Sequence, residues 1–369
     1  PMFVLMGSLA GASGMSRVLY AAAYRFMGHL RGGFASATIA ACAGFAALSG
    51  SSLASAVTMG RVALPEMKKY NYTDSLATGS VAAGGTLGFL IPPSGGMIIY
   101  AVLTEQSIGQ LFMAGIIPGI VLTLLFILAI YLIVFHAPEK GPAGPKSSSA
   151  ERHEAMLCAL PILAVVFITI GGMYTGFFTP VEASSVGACI TLIVAIARRS
   201  LNFQALQTVI LQTMSATATV FMIIIGAFVF IPFMSLTEVP ADLVNLLTSL
   251  PIGDLGVLVL IIVAYIILGM FLESIAMLVL TIPVVIPIAV GLEWDLIWFG
   301  IIVVIVLEMG MISPPVGINV FIVKSIAPDV PMREIFIGIF PFWLAMALML
   351  VLLIAFPALA TFLPQTLTG

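Results

Sequence analysis

"GFLIPPSGG", Gly88 to Gly96, lies inside a long apolar run, and its adjacent prolines Pro92 and Pro93 forbid the unbroken helix such a run would otherwise form. Each proline withholds an amide donor and pushes the preceding residue out of the helical region, so backbone carbonyls are freed at the break. The cost of that depends on the solvent. Of 369 residues 61% are hydrophobic and 8% charged, with a mean hydropathy of +1.23, against about 45–50% apolar and about 25% charged in soluble domains. Apolar stretches of about 20 residues, enough to cross about 30 Å of hydrocarbon, recur along the chain. The composition therefore predicts an all-α polytopic membrane protein. Irregular backbone inside a membrane is tolerated only where it is buried in protein or lines a wet cavity.

Lys and Arg orient the path, because basic residues in short loops stay on the cytoplasmic side. The pattern predicts a membrane segment up to residue 14, an interfacial amphipathic helix over 15–30 carrying Arg17, Arg25 and Arg31, and an apolar hairpin with arms 33–48 and 53–67 turning at "SGSS". A crossing over 75–100 contains the prolines, and 111–135 returns to a polar Pro/Gly/Ser-rich linker, 136–155. Crossings over 156–176 and 181–197 follow, then a second interfacial helix over 201–212 and a crossing over 215–234. A second hairpin, 255–272 and 275–290, turns at "FLES", and crossings over 297–323 and 335–362 end the chain. On this path all 13 Lys and Arg lie on one face or in the hairpin arm holding Arg61, while Glu105, Glu238, Asp242, Asp254, Glu293 and Asp295 lie on the other. The chain opens on Pro1 in mid-segment, which leads us to expect that the natural protein starts further upstream.

The two hairpins enter from opposite faces, which predicts an inverted repeat. A shift of 222 positions brings Ser13 onto Ser235, Ile39 onto Ile261, Ser52 onto Ser274, Pro65 onto Pro287 and Gly88 onto Gly310. It also brings Pro92-Pro93 onto Pro314-Pro315 and Gly95 onto Gly317, and one inserted residue later Pro118 meets Pro341. These are the residue types that shape backbone. The repeats are expected over 1–119 and 223–342, with connecting scaffold helices over 120–222 and the rest of the C-terminal helix and a tail over 343–369. "GFLIPPSGG" thus has a partner in "GMISPPVGIN", Gly310 to Asn319, and each marks a helix broken near mid-membrane. Freed carbonyls and hydroxyls suit a small hard cation, and the start of a second half-helix suits an anion. A cation-coupled carrier of anions follows.

The tips offer ligands of the same kind: Ser49, Gly50, Ser51 and Ser52 in the first hairpin, Glu273 and Ser274 in the second. Ordinary tight turns between full crossings would leave the topology unchanged, but exposed turns more often carry Lys, Asn, Asp or Pro, so re-entrant hairpins are expected. Glu308, which costs roughly 2.5–3.5 kcal/mol at a helix centre, has three roles open to it: bracing the break, binding a cation, or accepting bonds from a neighbouring helix. The structural role is preferred. Arg61 either snorkels to the surface or meets a substrate carboxylate. Glu182 follows Thr179-Pro180 at a helix start, where it suits a cap. His29, His136 and His153 lie near the interface or in the linker and suggest no proton relay. Cys42, Cys158 and Cys189 lack CxxC or Cys/His spacing, which argues against disulfides and zinc. A net charge of -3 argues against nucleic acid as a partner.

Residues 2–14 with "RGG", "SGSS", "LPEMKKYNY", "GFLIPPSGGMIIYAVLTEQSIGQLFMAGIIPG" and "LEMGMISPPVGINVF" resemble the large membrane subunit of tripartite ATP-independent periplasmic (TRAP) transporters, over nearly the whole chain. The resemblance implies an elevator-type, sodium-coupled carrier in a bacterial inner membrane. It implies a periplasmic binding protein that delivers substrate, and a small four-helix membrane subunit, separate or fused. It implies Na+ between the Ser49–Ser52 tip and the first break (Gly88, Pro92, Pro93), and between Glu273, Ser274 and the second break (Gly310, Ser313, Pro314). Substrate would lie between the tips, near Ser51, Ser52, Ser94, Gly95, Ser274, Gly317 and Asn319, with Arg61 a further candidate; Glu308, Pro65, Pro287 and Pro315 would be structural. Ser313 stands where the family commonly has threonine, Glu273 where aspartate is common, and Arg61 is outside the family pattern. The cargo implied is a small organic acid such as a dicarboxylate, keto acid or sialic acid. No GxxxxGK[ST] occurs, so an ion gradient and not ATP is expected to drive transport. A stand-alone sodium:dicarboxylate symporter shares these features without a binding protein. An ion channel with two re-entrant loops, or an intramembrane protease lacking a buried Ser–His or Asp pair, fits less well.

Overall fold

Serine, glycine and proline punctuate an otherwise apolar chain, and the helices begin and end where they stand. The computed structural model describes residues 1–237, 242–243 and 251–367, all helix or connection with no strand among them; Glu238 lies outside the described residues. Helix α1 (Met2–Ala12) turns by 66° at a left-handed Gly14 into α2 (Met15–Met27), which buries Met15, Leu19 and Tyr20. α3 (Gly33–Ser49) and α4 (Ser52–Lys69) form the first hairpin. α5 (Asp74–Leu90) and α6 (Gly95–Thr104) are the halves of the first broken helix, and α7 (Ile108–His136) returns. α8 (Ser149–Tyr174), α9 (Pro180–Ala197) and α10 (Phe203–Leu236) connect the halves. α11 (Gly253–Gly269) and α12 (Ser274–Gly291) form the second hairpin, α13 (Leu296–Met311) and α14 (Ile318–Ile326) the second broken helix. α15 (Met332–Ala355) and α16 (Ala358–Leu367) complete the described chain.

The repeat is visible in the element boundaries. α4 and α12 are each 18 residues long, and both their first residues (Ser52, Ser274) and their last (Lys69, Gly291) are related by the 222-residue shift. Pro65 and Pro287 occupy matching places inside them. α5 and α13 start at Asp74 and Leu296, again in register, and both breaks contain a cis Pro-Pro bond. Among the described residues, seven helical spans are long and apolar enough to cross a membrane, or eight if the bent α1–α2 pair is counted as one more. Five of them separate the two hairpins. An odd number of crossings among the described residues puts the second hairpin's entry on the opposite face, so the repeat is inverted.

The two repeats interlock. α6 packs on α12 of the other repeat, and α14 packs on α4, so each second half-helix lies on the opposite hairpin. The basic end gathers as the charge pattern requires: Arg25 pairs with Glu151 at 2.9 Å, and Lys68 lies 3.9 Å from Asp329. The opposite end is tied by Tyr100 Oη donating to the Leu296 carbonyl and Trp298 Nε1 to that of Leu353, both at 2.8 Å.

Three expectations are corrected. The separate interfacial helix over 201–212 is the first part of α10, one continuous 34-residue helix, because no glycine or proline interrupts 201–225 to stop it. The linker over 136–155 is shorter than expected: Ser148 and Glu151 form a capping box that starts α8 at Ser149. What remains is docked, with Gly32 N donating to Gly141 O and Gly144 N to Gly28 O, both at 2.8 Å. The last crossing is not one helix over 335–362, since Pro357 forces Phe356 out of the helical region and α16 starts afresh.

α5 and α15 cross with backbones in contact: a methyl group at Gly338 would collide with the Ser75 carbonyl, and one at Gly79 with the Gly338 carbonyl. Gly338→Ala should therefore destabilise the protein by about 1–3 kcal/mol, lowering its thermal midpoint in detergent. Gly171→Ala, where a methyl group meets nothing, should leave the midpoint unchanged or raise it.

Candidate functional site

In an unbroken helix each amide bonds the carbonyl four residues earlier, so Pro92 and Pro93 leave the carbonyls of Gly88 and Phe89 without their helical donors. Ser94, fully buried, repairs the second: its hydroxyl donates to Phe89 O and also caps α6 by accepting from Met97 N. The first hairpin tip covers the rest. Gly50 adopts φ +59°, which lets α3 end and Ser51 cap α4, and its carbonyl accepts from Gly95 N at 3.1 Å. Gly50 also lies so close to the Pro93 carbonyl that a side chain would not fit. Gly88 touches the Ser51 carbonyl and Ser55 Oγ, which shares a 2.8 Å hydrogen bond with Ser49 Oγ.

The second tip meets the second break in the same way. Gly310 and Gly269 touch backbone to backbone, and Gly317 N donates to Met270 O at 3.4 Å. Glu273 caps α12, its Oε2 accepting from Ile275 N and Ala276 N. Ser313 is already engaged, its hydroxyl donating to Met309 O at 2.6 Å and accepting from Trp343 Nε1 at 2.9 Å. Pro92 and Pro93 are buried, whereas Pro314 and Pro315 are exposed. Each break divides its crossing near the middle, so a tip seated on it stands at mid-depth. The hairpins are therefore re-entrant.

The tips converge on one carboxyl. Ser274 Oγ donates to Glu308 Oε1 at 3.2 Å, and Ser52 and Asn319 also face that carboxyl. Glu308 is 1% exposed and Asn319 fully buried; Ser52 and Asn319 lie against the carboxyl, yet among the described residues Glu308 Oε2 and both amide atoms of Asn319 make no well-aligned hydrogen bond. Sequence reasoning separated these residues, with Glu308 structural and Asn319 beside substrate; the structure brings them together.

A cavity of about 1430 Å³ reaches the first tip, touching Ser49, Gly50, Ser51, Pro93 and Gly95, with Ile275 from the second tip on its wall. Arg61 lines it, exposed and without an ion pair among the described residues, and so does Arg17, which sequence reasoning had placed only on the interfacial helix. Ser52, Ser94, Ser274, Gly317 and Asn319 do not line it. Pro65 and Pro287 lie along the hairpin arms, away from both tips. Glu182 forms a capping box with Thr179. Trp343, which anchors Ser313, was missed; an indole in an apolar run needs an acceptor, and that need was its signal.

The profile of the family described as the tripartite ATP-independent periplasmic transporter, DctM component, matches residues 1–359. The chain belongs to this family. It is 34% identical over 368 residues to the C4-dicarboxylate TRAP transporter large permease protein DctM of Pseudomonas aeruginosa, covering 100% of this chain and 86% of that protein. It is 30% identical to the sialic acid TRAP transporter large permease protein SiaM of Vibrio cholerae, with the same coverage of both chains. The ectoine TRAP transporter large permease protein TeaC of Halomonas elongata is 33% identical, over 98% of this chain and 84% of that one. The crystal structure of the Alcanivorax borkumensis YdaH transporter, described as having an unusual topology, shares the fold with a TM-score of 0.68 at 15% identity, over 97% of this chain and 84% of that one. The TRAP permease assignment thus rests on sequence, and the architecture on both.

If the cavity carries water to the first tip, Ser51→Cys in a background lacking Cys42, Cys158 and Cys189 should react with a membrane-impermeant maleimide in permeabilised vesicles, while Ser94→Cys stays unmodified. Equal labelling of both, or of neither, would contradict a wet path that ends at the tip.

Proposed function

We propose that this chain is the transport subunit of a sodium-driven carrier that imports a small organic acid across a bacterial inner membrane. The observation that carries this reading is the pairing of each re-entrant tip with a proline break in a helix, which concentrates oxygen donors at mid-depth beside a cavity. Carbonyls without helical donors, serine hydroxyls and a carboxylate are ligands for a hard cation such as Na+. The poorly satisfied oxygen of buried Glu308 supports a fit to a cation at this depth. Ser49, Gly50 and Ser51 with Gly88, Pro92 and Pro93 would hold one ion, and Glu273 and Ser274 with Gly310, Ser313 and Pro314 another; the bound hydroxyl of Ser313 leaves it one lone pair for this.

Substrate would lie between the tips, close to Ser51, Ser52, Ser94, Gly95, Ser274 and Gly317. Arg61 and Arg17 give the cavity a positive wall that suits a carboxylate. The names of the relatives, C4-dicarboxylate, sialic acid and ectoine permeases, favour a small carboxylate-bearing solute. A periplasmic binding protein would deliver it, and a small membrane subunit, separate or fused, would accompany this chain. The interlocked hairpins and broken helices would move as one body past α8, α9 and α10, an elevator motion. Cation and substrate binding each favour the loaded state, so they favour one another.

Uptake into proteoliposomes containing the whole membrane complex tests this, using a labelled panel of dicarboxylates, keto acids, sialic acid and ectoine. Uptake should require both an inward Na+ gradient and the binding protein; sodium-driven uptake without the protein would indicate a stand-alone symporter, and uptake indifferent to Na+ would refute coupling. Gly50→Ala, which strains a left-handed residue against the Pro93 carbonyl, should lower uptake by about tenfold or more.

A further inference from the structure

Glu308 and Asn319 break the internal symmetry. The shift of 222 positions puts Thr86 opposite Glu308 and Met97 opposite Asn319, so the first repeat has nothing equivalent. The pair is also poorly satisfied where it lies buried. Ser52 and Asn319 lie against the carboxyl, but among the described residues one buried carboxyl oxygen and both atoms of a fully buried amide make no well-aligned hydrogen bond, and burying polar groups so poorly satisfied is unfavourable. Glu273 stands across the second tip, close enough to act on Glu308. Among the described residues no basic side chain pairs with Glu308. The ion pairs among the described residues, half-buried Arg25–Glu151 and exposed Lys68–Asp329, lie at the basic end.

We propose that Glu308, Asn319, Ser274 and Ser52 bind a further Na+ ion, distinct from the two at the proline breaks and sharing the Ser274 hydroxyl, which has two lone pairs, with the second of them. The donor set is a carboxylate, an amide oxygen and two hydroxyls, all hard ligands of the kind that small alkali and alkaline-earth cations take. Each donor comes from a different element: Ser52 from the first hairpin, Ser274 from the second, Glu308 from α13 and Asn319 from α14. The ion would neutralise Glu308 and give the amide oxygen of Asn319 a well-aligned partner. It would also draw both tips to one point, whereas each break site involves a single tip. The inference rests on the sodium-coupled reading above and deepens it from two ions to three.

The test uses the purified membrane complex with the full chain. Thermal stabilisation is titrated with NaCl against KCl at constant ionic strength, and the Na+:substrate ratio is measured from reversal potentials in proteoliposomes. In Glu308→Gln the Na+ concentration giving half-maximal stabilisation should rise by about tenfold or more, and one fewer Na+ should move per substrate. Asn319→Ala, which keeps the carboxylate, should raise the same midpoint, and it decides the question if Glu308→Gln does not fold. Variants with a wild-type midpoint and ratio would overturn the proposal while leaving sodium coupling intact. So would a Glu308→Gln variant that keeps the wild-type sodium response and loses only a pH dependence, since Glu308 would then carry a proton. A wild-type complex indifferent to Na+ would remove the underlying reading as well.

Discussion

A backbone carbonyl inside a hydrocarbon layer must find a partner, and this chain places two proline pairs where helical partners are denied. The structure is organised around that constraint. Ser94 turns back to Phe89, Gly50 and Gly95 bond across the gap, and the Gly310–Gly269 contact lets the second hairpin close on the second break. Each repair needs a hairpin that stops at mid-depth, so the re-entrant hairpins and the broken helices explain one another. The interlocking of α6 with α12 and of α14 with α4 then holds the repeats together as one body.

Much of this was legible because prolines, glycines and tip serines carry backbone geometry in their identities. One shift aligned them, and the same shift reproduces both ends of α4 and α12. Reading failed where identity carries less. Leu201 to Ser215 holds no breaker, so polarity alone suggested an interfacial helix and the backbone simply continued through it as α10. The linker's docking depends on contacts of Gly141 and Gly144 with residues more than a hundred positions away, which local composition does not encode. Pro357 interrupts a strongly apolar run whose hydropathy alone points to one continuous crossing.

The candidate site divides along the same line. The tips and breaks were legible as pairs, since each lies at the same place in its repeat. The meeting of both tips at Glu308 was not, because it arises from the way the repeats interlock. Its only trace in the sequence is an exception: a glutamate and an asparagine standing where the first repeat has Thr86 and Met97. A shared carboxylate gives a physical route by which order in one tip depends on order in the other. Coupling between cation and substrate requires such mutual dependence.

Sodium-dependent hydrogen exchange, read by mass spectrometry on the full complex in NaCl and in KCl, tests the central claim most directly. The account predicts that backbone amides of the two tips, around Gly50–Ser52 and Leu272–Ser274, are slowed together as Na+ is added, with half-effects at the same concentration. Protection of neither tip, or of one tip alone, would contradict a cation-binding centre built from both.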